Sequence, residues 1–101
     1  MASRNVCSLN IDGDMIKNSI MSRNSIDVEY FEEKIKKSKA KTVILNMSNV
    51  WFMDSSAVVI LIHLHKLCKT LGKQFSIEKP KRTIKDLLHA VNLDRVIPIT
   101  D

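Results

Sequence analysis

Thr42-Val43-Ile44-Leu45-Asn46-Met47, followed by Trp51-Phe52-Met53-Asp54-Ser55-Ser56-Ala57, is the stretch on which the fold turns. Its first run is continuously apolar rather than alternating, the pattern of a strand covered on both faces. From Ala57 to Leu71 the period changes. Val58, Leu61, Ile62, Leu64, His65 and Cys68 recur at helical spacing, and Gly72 is placed to end the helix in the left-handed conformation that glycine tolerates. The junction between the two is Asp54-Ser55-Ser56. It sets two hydroxyls at a helix N-terminus, where unpaired backbone N–H groups favour anionic groups. The plain reading is an N-cap supplied by Asp54; the other is a seat for a phosphate.

Outward from this junction, Lys41 to Met47 reads as the central strand. Val28, Phe31 and Ile35 form one apolar stripe of a helix capped by Asn24 or Ser25, with Asp27 and Glu29 in its first turn. Before it, Asn5 to Ile11 alternates as a strand, Asp12-Gly13 signals a hairpin, Asp14 to Ser19 is its returning strand, and Ile20 to Asn24 is a loop. After Gly72, Gln74 to Glu78 is a short strand carrying Phe75 and Ile77. Pro80 breaks the chain, and Thr83-Ile84-Lys85-Asp86 resembles a capping box opening a helix with the stripe Ile84, Leu87, Leu88 and Val91. Arg95 to Ile99 reads as a last strand. Strands alternating with helices predict an α/β layer with a mixed sheet, in one domain over residues 1–101.

Composition narrows the function classes. Hydrophobic residues make up 45% of the chain but aromatics only 5%, so the core must be aliphatic. Two glycines and two prolines are too few for a many-stranded sandwich. The net charge of +5 permits anionic partners without selecting one. Asp27, Glu29, Glu32 and Glu33 precede Lys34, Lys36, Lys37, Lys39 and Lys41, the order that complements a helix dipole, so much of this charge has a structural explanation. A second basic run, Lys79, Lys81, Arg82 and Lys85, is read as a solvated face. Without interleaved aromatics, no nucleic-acid partner is expected. Cys7 and Cys68 make no disulfide framework, and Cys68 reads as a small buried hydrophobe. No apolar run is long enough to insert into a membrane and no signal peptide is apparent, so the expected location is cytoplasmic.

Catalysis finds no support in the residues. Ser55 and Ser56 lack the Gly-x-Ser-x-Gly elbow, and His63 and His65 lie further along the same helix. Those two rings point about 200° apart, and His65 with Cys68 would offer a metal only two ligands. No glycine-rich phosphate loop is present. The expectation is therefore no enzyme, no cofactor and no metal. Trp51 and Phe52 are expected to pack beneath the turn, Phe52 especially; an exposed Trp51 would instead mark a binding surface.

Val43-Ile44-Leu45-Asn46-Met47-Ser48-Asn49-Val50 with Phe52-Met53-Asp54-Ser55-Ser56-Ala57 closely resembles the core motif of the STAS domain, shared by sulfate transporters and anti-sigma factor antagonists. The similarity extends through Leu71-Gly72-Lys73 to Val91-Asn92-Leu93. It implies a mixed sheet of four to five strands with helices mainly on one face and no catalysis by the domain. In the antagonist branch it implies a phosphorylation site at Ser55, with Met53, Asp54, Ser55, Ser56 and Ala57 at the contact surface. The partner would be an anti-sigma factor or serine kinase, bound when Ser55 is unmodified and released when it is phosphorylated. That branch usually carries glycine where this chain has Ala57. The alternative the resemblance leaves open is the cytoplasmic regulatory domain of a sulfate or anion transporter; a small basic nucleic-acid-binding protein ranks last.

Overall fold

The computed structural model describes residues 6–10, 20–21 and 28–100. In chain order they form β1 (Val6–Asn10), β2 (Ile20–Met21), α1 (Val28–Lys37), β3 (Thr42–Asn46), β4 (Phe52–Met53), α2 (Ser55–Thr70), β5 (Gln74–Glu78), α3 (Arg82–Ala90), a 3-10 turn (Leu93–Arg95) and β6 (Ile99–Thr100). β1, β3, β5 and β6 make one sheet in that spatial order, and β2 pairs with β4 in a second, two-stranded sheet. Every pairing among the described residues is parallel. The hairpin and returning strand expected over Asp12 to Ser19 lie outside the described residues, as does the cap expected at Asn24 or Ser25.

The order explains where the helices go. Each crossover steps to the next strand in the same direction. Right-handed crossovers in one direction place α1, α2 and α3 on the same face of the sheet. That face is apolar in register: Leu9, Leu45, Ile77 and Ile99 align across the four strands, and Cys7, Val43 and Phe75 form the row beside them. Phe31 and Ile35 of α1, Leu61 and Leu64 of α2, and Ile84 and Leu88 of α3 close over these rows as one core. The opposite face carries Ser8, Ile44 and Ser76 in one row and Asn10, Asn46, Glu78 and Thr100 in another.

Burial along β3 alternates accordingly. Val43 and Leu45 are sealed, while Thr42, Ile44 and Asn46 are half-buried. The continuous apolar run therefore overstated how evenly both faces are covered. Four further local expectations change. Ile20–Met21, read as loop, is a strand, because its backbone pairs with Phe52–Met53. The capping box at Thr83 does not form: the helix starts two residues earlier, with Lys81 as N-cap and no side-chain cap bond. Val91 leaves the core, being 45% exposed beyond the end of α3. Arg95 belongs to the 3-10 turn, and the last strand begins only at Ile99, after Asn92 has reversed the chain at φ 61°.

The end of α2 follows its expected course in detail. Lys73 N–H donates to Cys68 C=O at 2.7 Å and Gly72 N–H to Lys69 C=O at 3.1 Å, the paired bonds of a Schellman motif around Gly72 at φ 72°. The Lys73 ammonium then donates to the carbonyls of Ser38 and Ala40, tying this turn to the α1–β3 connection.

Candidate functional site at the junction of β4 and α2

β3 ends in an Asx turn: Asn46 Oδ1 accepts from Ser48 N–H at 2.8 Å. Met47 and Val50 stay fully buried and carry the chain across the core to β4. Asp54 then has extended backbone and becomes the N-cap of α2. Its Oδ1 accepts from Ala57 N–H at 3.1 Å and from the Ser56 hydroxyl at 2.5 Å. Donation by the Ser56 hydroxyl is the largest influence and holds the Asp54 carboxyl below the usual carboxylate range; desolvation opposes it, and the backbone N–H groups of Ala57, Ser56 and Asp54 reinforce the lowering. The cap is therefore anionic at neutral pH.

The two serines differ. The Ser56 hydroxyl is committed to Asp54, and its residue is half-buried. Ser55 is the first helical residue, is exposed, and its hydroxyl takes no hydrogen bond from the described residues. Ala57, expected at the contact surface, is fully buried and supports the turn from below. Met53 is half-buried and reaches a shallow groove shared by Asp54, Ser55, Val58, Leu87 and Val91, between α2 and α3. On the other side, Ser56, Val59 and Ile60 border a second groove against Val28, Glu29 and Glu32 of α1, where Glu32 meets His63 Nε2 at 2.7 Å. The first turn of α2 is thus a ridge between two grooves.

Trp51 and Phe52 flank the ridge and are 56% and 65% exposed. The expectation that Phe52 packs beneath the turn fails, because β4 faces Met53 toward the core and Phe52 away from it. Trp51 is partly covered by the Lys81 ammonium, 4.1 Å from the ring centroid, a cation–π contact of about 0.5–1 kcal/mol. Val59, Leu87, Val91 and Lys81 were not singled out as site residues from the sequence. Val59 had a signal: six consecutive apolar residues from Ala57 to Ile62 cannot all face inward on one helix.

Among the described residues, no group of three or more His, Cys, Asp or Glu converges as a metal cage requires, and no helix is long and apolar enough to cross a membrane. The architecture just described, with a strand delivering Asp-Ser-Ser to a helix N-terminus beside a four-stranded sheet, is matched by one family model, the STAS domain, over residues 3–101. The chain belongs to the STAS domain family. As a STAS domain it is 28% identical over 71 residues to a Thermotoga neapolitana protein named "Putative anti-sigma factor antagonist TM1081 homolog". That match covers 70% of this chain and 62% of the relative's length. The NMR structure of the protein TM1081 superposes with a TM-score of 0.63 at 20% identity, covering 85% of this chain and 77% of that one. The crystal structure of TM1081 from Thermotoga maritima, described as "a putative anti-sigma factor antagonist", gives 0.61 at 21% identity over 96% and 74%. At these identities the structural likeness speaks to the fold.

Proposed function

We propose that this STAS domain is a non-catalytic protein-binding module of the anti-sigma factor antagonist type, switched by phosphorylation of Ser55. The observation that supports this reading is the inequality of the two serines. Ser56 is held by Asp54, whereas the Ser55 hydroxyl stands exposed at the helix N-terminus and has no hydrogen-bond partner among the described residues. A serine kinase would transfer the γ-phosphoryl of ATP to Ser55 Oγ and release the hydroxyl proton. The new group would carry about −1.5 to −2 charges. The helix dipole favours it there.

The same charge opposes a bound partner. Ser55 sits at the mouth of the groove lined by Met53, Val58, Leu87 and Val91. An apolar side chain of an anti-sigma factor seated in that groove would have to share it with a phosphate and with ionised Asp54, and would lose contact. Met53, Asp54, Ser55 and Ser56 provide the surface, with Ala57 beneath them.

The test uses candidate serine kinases from the source organism, with modified residues mapped by mass spectrometry. A kinase that binds the domain yet leaves Ser55 unmodified would defeat the reading. In titration calorimetry against the anti-sigma factor that the unmodified domain retains, Ser55→Ala keeps affinity and Ser55→Asp weakens it. The chain's single tryptophan, Trp51, reports docking at this ridge by a blue shift of its emission.

A further inference from the structure

Lys79, Lys81, Arg82 and Lys85 put four cations into seven residues, with Pro80 among them. The fold gives this run a place. β3 and β5 pair in parallel, so their carboxyl ends share one edge of the sheet. The chain leaves that edge through Lys79, at φ 54°, and starts α3 at Arg82. It leaves the same edge after Asn46 to reach Trp51 and the Asp54–Ser55 turn. Open α/β sheets take their ligands outside these carboxyl ends.

The cations lie in a row rather than converging. The Lys81 ammonium is 4.1 Å from the ring centroid of Trp51. Arg82 and Lys85, three residues apart on one side of α3, line a groove with Pro80, Asp86 and His89. At helical rise Lys85 stands about 6 Å beyond Lys81 along the axis. An extended chain presents alternate side chains about 7 Å apart. The spacing therefore suits successive carboxylates on one face of an extended segment better than a single anion. Lys79, Lys81 and Arg82 have no ion-pair partner among the described residues, and Asp86 is the carboxylate that lines this groove. A single-stranded nucleic acid would need aromatic faces open for stacking, and Lys81 already occupies a face of Trp51.

We infer that the surface running from Trp51 over Lys81 and Arg82 to Lys85 takes an acidic, extended segment of the protein partner. The inference rests on the Ser55 reading for which molecule carries that segment. Trp51 is four residues from Ser55, hence at most about 14 Å away. A partner covering the Ser55 ridge with a standard face of about 800 Å² reaches Lys81 as well.

Fluorescence anisotropy of a labelled peptide of alternating glutamate and threonine, titrated with the purified domain, tests it. The peptide binds, more weakly as salt rises, and Trp51 emission shifts as carboxylates draw on Lys81. Lys81→Ala combined with Arg82→Ala weakens binding several-fold. Lys66→Ala combined with Lys69→Ala removes the same charge from the exposed face of α2 and changes binding little. Circular dichroism melting checks that both double variants stay folded. Equal loss in the two would reduce the binding to net charge and overturn the inference. So would no binding at low salt, binding that leaves Trp51 emission unchanged, or tighter binding of oligothymidylate than of the peptide. None of these results touches the Ser55 reading, which is tested by mass spectrometry and partner affinity. A domain that takes the peptide here yet is never modified at Ser55 keeps the surface and loses the switch.

Discussion

The Ser56 hydroxyl donates to Asp54 Oδ1 at 2.5 Å, and this bond makes two adjacent serines chemically different. Ser56 becomes part of the helix cap. Ser55, one residue earlier, is left facing solvent. Two hydroxyls side by side in sequence are thereby given separate tasks by a single carboxylate.

Replacing Ser56 by Ala removes the largest influence holding the Asp54 carboxyl low. A carboxyl whose folded pKa lies below its unfolded value contributes stability above the ordinary carboxylate range, and loses it as pH falls through the folded value. Ser56→Ala therefore brings the carboxyl back toward 3.8 and shrinks the acid-side loss. Melting temperature followed from neutral to acid pH shows a shallower fall than in the parent. Asp54→Ala, which removes the whole cap, melts a few degrees lower at neutral pH.

Gly72 holds φ at 72°, and a Cβ built there meets nothing within 4 Å. The cost of Gly72→Ala is then backbone conformation alone, about 1–2 kcal/mol. Gly72→Asn costs less, since asparagine visits the left-handed region more readily. Urea denaturation midpoints should rank Gly, Asn, Ala from most to least stable; an Ala variant as stable as the parent contradicts the Schellman assignment.

Leu45 is fully buried between Leu9 and Ile77 in the middle row of the sheet. Leu45→Ala loses that burial and leaves a cavity, at about 2–5 kcal/mol. Val59→Ala, at a 64% exposed position, stays within about 0.5 kcal/mol. Chemical denaturation of both at low protein concentration measures the contrast.

Burial pushes the Cys68 thiol up to about 11 from an ordinary 9.0, with Lys73 opposing this weakly. A thiol with a raised folded pKa stabilises fully below its unfolded value and ceases to do so as pH rises to the folded one. Stability should thus decline between about pH 9 and 11 in the parent, and Cys68→Ala should lose that component of the decline. At neutral pH, thiol reagents should reach half-buried Cys7 first and Cys68 only on unfolding.

Much of this molecule is legible in its residues alone. The period change between Thr42 and Leu71, Asp54 as cap and Gly72 as stop are local matters of spacing and backbone preference, and the structure places all three where the sequence does. Gln74–Glu78 is found with the same bounds because its alternation is clean. Ser55 as the candidate hydroxyl was reached from family resemblance; its exposure and freedom from Asp54 are tertiary facts.

What needed the folded chain is everything set by contacts between distant segments. Ile20–Met21 is a strand only because Phe52–Met53 lies beside it. Phe52 and Val91, both apolar, face outward because the core beneath them is already filled by Met53, Leu88 and Leu93. Thr83 is not a cap because the chain leaving β5 through Lys79, at φ 54°, starts α3 at Arg82. Spacing along a chain determines which face a residue shares; only the packed sheet and helices decide which face is covered, and so which apolar residues remain on the surface for another molecule.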